Sequence, residues 1–259
     1  MTQTSTQTSK YALRGSASIP VKTFCLKADV ASSESANNVE LVRLYDSLVR
    51  NFYEIDAQKS NGGDVRVRTG IDGFPIVVFW QDTSSGTGSV RFWGKYNFNN
   101  DKSTNEVFGL VDGCESWEIK NNTSDRVIFK TSNYVGNDWL NDFEARYPED
   151  NTNYTHLKRL TDWIVSTDQD AATNAAITAV TYDGTTYDHD TAACRLAKFK
   201  AECKDYFAMN SLIFYYVFTE VFLMVDSRAK NMFLTTYDGN HWMFLPYDFD
   251  TALGINNEG

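Results

Sequence analysis

The chain has 259 residues and a mass of 29.4 kDa, and its 24 Lys and Arg against 34 Asp and Glu give a formal net charge of −10. A hydrophobic fraction of 42% and a charged fraction of 22% are ordinary for a folded domain, which excludes a disordered chain, a collagen-like repeat and a disulfide-dense scaffold. The sequence pI near 4.8 argues against a protein that coats nucleic acid, because such a chain cannot neutralise phosphates in bulk. An acidic enzyme that handles phosphate through a metal ion remains allowed.

The N-terminal residues indicate no secretory signal, since residues 1–10 are polar and lack both a cationic and an apolar segment. Four cysteines without a CxxC pair, Cys25, Cys114, Cys194 and Cys203, are typical of free thiols in a reducing compartment. The most apolar stretch, residues 206–225, is interrupted by polar side chains. It therefore predicts a helix buried on nearly all sides rather than a membrane span.

The first half of the chain predicts a strand, a helix and an antiparallel sheet. Residues 21–26 alternate and predict a strand, and residues 39–53 predict an amphipathic helix. The apolar face of that helix is predicted to consist of Leu41, Leu44, Tyr45, Leu48 and Phe52. Further strands are predicted at residues 73–80, 89–98, 116–119 and 127–131.

The second half has helical periodicity, with helices predicted at residues 139–146, 155–167, 191–207 and 209–225. A turn or small hairpin is predicted at 182–187, and a hairpin at 232–245 has Asp238-Gly239 at its tip. The shift in composition near residue 135 predicts an α+β protein with two lobes. We expect a polar leader at 1–18, a sheet-rich lobe at 19–135 and a helical lobe at 136–259.

The polar residues that follow the apolar helix have a spacing suited to phosphoryl transfer. Asn231 follows Asp226 by five residues, and Asp248 and Asp250 follow a hairpin. Protein kinases place a catalytic carboxylate, a metal-binding Asn and a second metal-binding Asp in this order. Arg228 lies where a cation could neutralise the transferring phosphoryl group. The same pattern is also typical of a capped helix end followed by a surface hairpin.

Four segments resemble the CotH kinase family, atypical kinases first associated with bacterial spore coats and common in phage genomes. The most specific segment, residues 245–254, is similar to the family signature Pro-Tyr-Asp-x-Asp-Thr-x-x-Gly. The four segments read Leu26-Lys27-Ala28-Asp29 before a Ser- and Asn-rich helix start, Gly94-Lys95-Tyr96-Asn97-Phe98, Asp226-Ser227-Arg228-Ala229-Lys230-Asn231, and Leu245-Pro246-Tyr247-Asp248-Phe249-Asp250-Thr251-Ala252-Leu253-Gly254. Together they extend over most of the chain.

The resemblance implies a two-lobed kinase-like fold that uses ATP with Mg²⁺ or Mn²⁺ to phosphorylate hydroxyl groups of a protein substrate, a Ser-rich one being a candidate. Lys27 would hold the nucleotide phosphates, paired with a carboxylate on the following helix, for which Glu40 is the candidate and Glu34 a weaker one. Asp226 would be the catalytic carboxylate. Asn231 and Asp248 would bind the metal, supported by Asp250.

The chain departs from the pattern of this family in two respects. The usual Asp-Arg pair of the family reads Asp226-Ser227 here, with the arginine displaced to Arg228. The chain ends soon after the last motif, whereas protein kinases continue with further helices, so we expect a compact or C-terminally truncated kinase fold. The expected location is the cytoplasm of a bacterial host or a virion, with neither a membrane nor a nucleic acid as partner.

Two other functional classes stay open at this stage. One is a phage virion or adhesion protein that keeps a kinase-like fold without catalysis. The other is a carbohydrate-binding module or hydrolase, suggested by the aromatic fraction of 14% and by the acidic pair Glu144 and Glu149. The latter is the weaker alternative, because that pair lies in a charged run typical of a solvated helix end.

Overall fold

The computed structural model describes residues 9–28, 37–52, 56–84, 86, 88–119, 140, 142–166, 179–188, 191–224, 226–228 and 230–255. The strand expected at 127–131 and the residues Asp29 and Glu34 lie outside these ranges. The chain forms two compact units. One comprises Met1–Val111, Tyr216–Asn231 and Leu245–Gly259, and the other Asp112–Tyr215 and Met232–Phe244. The boundary expected near residue 135 also lies outside the described ranges and stays a prediction.

The first unit contains a three-stranded antiparallel sheet in the order β1-β3-β2. Its strands are β1 (Phe24–Lys27), β2 (Gly73–Gln81) and β3 (Val90–Asn100), close to the predicted positions. β-Branched and aromatic residues, which favour extended backbone, dominate the two longer strands. The register places Lys27, the last residue of β1, opposite Asn97 of the central strand.

The helix α1 (Asn37–Phe52) lies in the same unit and is followed by the short α2 (Asp56–Ser60). Its buried positions include Val39, Val42, Tyr45 and Val49, which recur at three- and four-residue intervals. The predicted apolar face was therefore right for Leu41 and Tyr45, which are buried, and wrong for Leu44, which is 39% exposed.

The second unit contains a four-stranded sheet in the order β5-β4-β8-β9. The strands are β4 (Glu115–Ile119), β5 (Phe143–Tyr147), β8 (Met232–Thr236) and β9 (Trp242–Pro246). The last two residues of β9 belong to the first unit. The helix predicted at 139–146 was wrong, since residues 143–147 form β5. Pairing with β4 overrides the local helical pattern, and an ion pair between Arg146 and Glu118 links the two strands.

Helices and a hairpin complete the second unit: α3 (Thr155–Val165), the hairpin of β6 (Ala179–Tyr182) and β7 (Thr185–Asp188), and α4 (Ala192–Glu202). These match the predicted order. A short 3₁₀ turn (Cys203–Asp205) leads from α4 toward α5 (Met209–Val221). The rings of Trp163 and Tyr206 stack with centroids 4.3 Å apart, so the end of α3 packs on the segment after α4.

Helix α5 departs from the prediction of burial on nearly all sides. Ile213, Tyr216, Val217 and Val221 each leave half or more of their surface exposed, whereas Tyr215 and Phe218 are buried. Among the described residues, no helix is long and apolar enough to cross a membrane.

The α+β class is confirmed by the mixture of antiparallel sheets and helices. The two-lobed kinase arrangement and the C-terminal truncation stay predictions. All four cysteines are free thiols, as the sequence indicated.

Candidate active site

The first unit brings Lys27 together with the acidic loop that follows β9. The ammonium group of Lys27 forms an ion pair with Asp248 Oδ2 and lies 3.7 Å from Asp250 Oδ2. These three side chains are only 16–34% exposed, so their charges are partly shielded from water. Two carboxylates thus share one cation, which leaves the cluster with a formal charge of −1.

Asn38, in the first turn of α1, fixes the backbone and side chain of this acidic loop. Its Nδ2 donates a hydrogen bond of 2.9 Å to Asp248 Oδ1, and its Oδ1 accepts one of 2.9 Å from the backbone N–H of Phe249. The Asn38 side chain is fully buried, so these bonds lie in an environment where an unpaired polar group would be costly. The start of α1 therefore orients the carboxylate that Lys27 contacts.

The ring of Phe249 anchors the loop from the other side. It is fully buried and lies 6.3 Å from the ring of Tyr45 and 5.9 Å from that of Phe218. Asp248 and Asp250, on either side of this buried ring, both direct a carboxylate oxygen toward the ammonium group of Lys27. The sequence Asp-Phe-Asp thus places one anchor between two carboxylates.

The second polar loop, which follows α5, belongs to the same unit. The carboxylate of Asp226 forms an ion pair of 3.0 Å with Lys230 Nζ, and the backbone N–H of Lys230 donates to the carbonyl of Asp226. Asn231 has a φ of 64°, a left-handed conformation that Asn adopts more readily than most residues. Its carbonyl accepts a bond of 3.4 Å from the N–H of Tyr247, which joins this loop to the residue before Asp248.

Two predicted site residues have other partners. Glu40 was expected to pair with Lys27, but its carboxylate binds Arg43 of the same helix at 3.0 Å, while Lys27 binds Asp248 and Asp250. The expected pair is therefore wrong in this structure, since Glu40 lies on the exposed side of α1. Arg228 forms an ion pair with Glu220 of α5 and lies over the ring of Tyr216, with its side chain 43% exposed.

Sequence reasoning missed Asn38 and Lys230. Asn38 belongs to a polar helix start, and nothing in that local pattern reveals a partner 210 residues away. Lys230 is four residues after Asp226, a spacing that forms an ion pair only if the backbone makes a helical turn, as it does here.

Next to Lys27, the thiol of Cys25 lies 2.9 Å from the Asp101 carboxylate. Burial, together with this hydrogen bond, raises the pKa of Cys25 to about 12. The thiol is therefore protonated at neutral pH and is no nucleophile for chemistry at this site.

Comparison with known proteins identifies the family. A family model described as CotH kinase protein matches residues 107–259, more than half of the chain. No match was found among curated proteins. The matched range contains Asp226, Asn231, Asp248 and Asp250, and it begins after Lys27 and Asn38. With the geometry of the acidic loop in place, this match establishes that the chain belongs to the CotH kinase family.

Proposed function

We propose that the protein is a Ser/Thr protein kinase that transfers the γ-phosphate of ATP to protein hydroxyl groups. The observation that carries the proposal is the contact between Lys27 of β1 and Asp248, 221 residues later in the chain. A lysine beside a metal-binding carboxylate is the arrangement by which kinases hold nucleotide phosphates and their metal ions. Family membership supports the same reaction class.

The residues present suit a magnesium ion that is bound together with a nucleotide. Mg²⁺ prefers oxygen ligands and usually takes one or two carboxylates, with waters and substrate phosphates filling its other positions. Asp248 and Asp250 supply two carboxylates, and in this structure the ammonium group of Lys27 forms ion pairs with both. Among the described residues, no group of three or more His, Cys, Asp and Glu side chains could hold a metal ion. When bound, the ion neutralises charge on the phosphates.

Each residue then has a separate task. Lys27 binds the nucleotide phosphates, and Asn38 holds Asp248 in position. Asp226 accepts the proton of the substrate hydroxyl group while the oxygen of that hydroxyl group attacks the γ-phosphorus. The bond between the γ-phosphorus and the β–γ bridging oxygen then breaks and ADP is released. In this structure Lys230 forms an ion pair with the Asp226 carboxylate. Before Asp226 can accept a proton, this ion pair has to break, or Lys230 has to bind the phosphate itself.

The test combines nucleotide binding with transfer. The protein is incubated with labelled ATP and Mg²⁺ or Mn²⁺, alone and with a Ser-rich protein, and phosphorylated Ser and Thr are located by mass spectrometry. Thermal unfolding with and without ATP and metal measures binding separately, since a ligand at 100 times its Kd stabilises by about 2.7 kcal/mol.

Three variants separate the roles. Asp226→Asn is expected to keep ATP-dependent stabilisation and lose transfer, and Asp248→Asn to lose the metal-dependent part of binding. Asp162→Asn, at an exposed carboxylate on α3, is the matched control and should change neither. If ATP with metal leaves the wild-type unfolding midpoint unchanged, the kinase proposal fails. The alternative of a virion or adhesion protein with a silent kinase fold then takes its place.

A further inference from the structure

A second charged site lies in the first unit, and its lining shares no residue with the acidic loop. A cavity of about 430 Å³ opens beside α1, and its lining contains four arginines and three carboxylates. It therefore has a formal net charge of +1 in a chain whose net charge is −10. The arginines come from three separate segments of the unit: Arg14, Arg43 with Arg50, and Arg68.

The two most buried carboxylates of this cavity are already occupied by the protein. Asp46 accepts hydrogen bonds from the backbone and hydroxyl of Thr69 at 2.8 and 3.0 Å, and from Arg50 and Arg68 at 2.8 and 3.2 Å. Asp72 accepts a bond of 2.7 Å from the hydroxyl of Ser18 and lies 2.5 Å from Arg14 Nη2. Their side chains are only 9% and 5% exposed, so they anchor the arginines from within.

Several guanidinium N–H groups remain without a hydrogen-bond partner among the described residues. Arg14 Nε, Arg50 Nη2 and Arg68 Nε are buried and make no hydrogen bond there, although Arg68 Nε lies 4.0 Å from Asp72 Oδ2. Buried charged donors of this kind are costly unless an ion, water or ligand satisfies them. Arg43 adds a fourth guanidinium at the rim, with its side chain 37% exposed.

We propose that this cavity binds a phosphate group. Arginine presents its donors in a planar fork that matches the oxygens of phosphate, and several forks from different segments suit a tetrahedral dianion. Because α1 also carries Asn38, a phosphate bound to Arg43 and Arg50 stabilises the helix that holds the acidic loop.

The phosphate can come from solution or from a phosphorylated side chain. The chain itself offers one source, because Ser and Thr occupy six of the eight positions from Thr2 to Ser9. Ser9 precedes Arg14 by five residues, a segment that spans at most about 18 Å when extended. This source rests on the proposed kinase activity, whereas the phosphate site itself does not.

Inorganic phosphate is the first probe. Thermal unfolding of the whole chain is followed in sodium phosphate and in sodium chloride of equal ionic strength, and the midpoint is expected to rise with phosphate alone. Arg43→Gln and Arg14→Gln should each weaken the apparent phosphate affinity about tenfold, the effect of losing one charge-assisted hydrogen bond. Arg43 pairs only locally with Glu40 in the ion pairs described, so Arg43→Gln decides the test if Arg14→Gln does not fold.

Two controls locate the site. Arg66→Gln removes an arginine that pairs locally with Asp64 and lies outside the cavity lining, and it should bind phosphate as the wild type does. Lys27→Gln should also keep the phosphate response. The proposal is overturned if phosphate acts no differently from chloride, or if Lys27→Gln abolishes the response and Arg43→Gln does not.

A peptide of residues 2–10, phosphorylated at Ser9, distinguishes the sources. Binding about tenfold tighter than inorganic phosphate, and dependent on Arg43, assigns the N-terminal segment as ligand. Equal binding assigns free phosphate and leaves the site intact. If the protein shows no phosphoryl transfer but its thermal stabilisation by phosphate still depends on Arg43, only the kinase proposal is contradicted.

Discussion

Replacing Asn38 by Asp tests whether the start of α1 controls the acidic loop. The new Oδ1 still accepts from the Phe249 N–H, but the second oxygen takes the place of Nδ2, 2.9 Å from Asp248 Oδ1. At an effective dielectric constant of about 20, two negative charges at this separation repel by about 6 kcal/mol. Part of this is offset by the ammonium of Lys27, which contacts Asp248.

Protonation of one carboxyl limits the measured effect. Taking up a proton at pH 7 costs a carboxyl with an ordinary pKa near 4 about 4 kcal/mol, so Asn38→Asp should destabilise the fold by at most about 4 kcal/mol at that pH. The pKa of the shared carboxyl is raised in the folded state, which then binds more protons than the unfolded state. The stability of the variant relative to wild type therefore rises as the pH falls, by about 1.4 kcal/mol per unit, leaving a loss of about 1 kcal/mol at pH 5.

The assay is urea unfolding, monitored by tryptophan fluorescence at pH 7 and pH 5. Asn51→Asp makes the same chemical change at an exposed position near the end of α1 and should cost less than about 1 kcal/mol, through the helix dipole alone. An Asn38→Asp loss equal to that of Asn51→Asp at pH 7, or one independent of pH, would refute the role assigned to Asn38.

Two further predictions concern the second unit. Lys198 of α4 is 5% exposed and donates a hydrogen bond to the carbonyl of Trp163, and burial lowers its pKa to about 8. The positive charge of Lys198 therefore reduces the stability of the fold below pH 8, and this loss disappears between pH 8 and about 10.5. Lys198→Met should raise the free energy of unfolding at pH 7 by about 1–2 kcal/mol, with a gain that shrinks above pH 8 in urea titrations; an unchanged or lowered stability contradicts the assignment. Asp238 accepts bonds from the backbone N–H groups of Asn240 and His241 at the β8–β9 turn, and hydrogen bonds from His241 hold its pKa at about 2 despite partial burial. Asp238→Ala should lower the free energy of unfolding by about 1 kcal/mol, a value discounted because the Asp238 side chain is half exposed. This loss of stability relative to wild type should be constant at neutral pH and should fade as the pH falls from about 4 to about 2. A loss that survives at the lowest pH would show that the carboxylate charge does not cause it.

Periodicity predicted most elements, because alternation and three- to four-residue repeats are local properties of the chain. It failed where partners from elsewhere decided the outcome. Residues 143–147 form a strand because β4 is available to pair with them, and α1 packs Tyr45 against Phe218 and Phe249 while Leu44 stays exposed. Local pattern also overestimated the burial of α5, whose apolar residues extend around the helix while only one side packs.

The sequence by itself determined the family to which the chain belongs and the candidate residues that it carries, which are the Asp226–Asn231 spacing and the Asp-Phe-Asp segment. Only the tertiary structure decided which charges meet. It paired Lys27 with Asp248 and Asp250 rather than with Glu40, placed Asn38 beneath the acidic loop, and gathered four arginines around one cavity. The physical reason is that charge pairing depends on distances of a few ångströms between residues tens to hundreds of positions apart, and those distances are set by how α1 and the strands pack rather than by any local pattern.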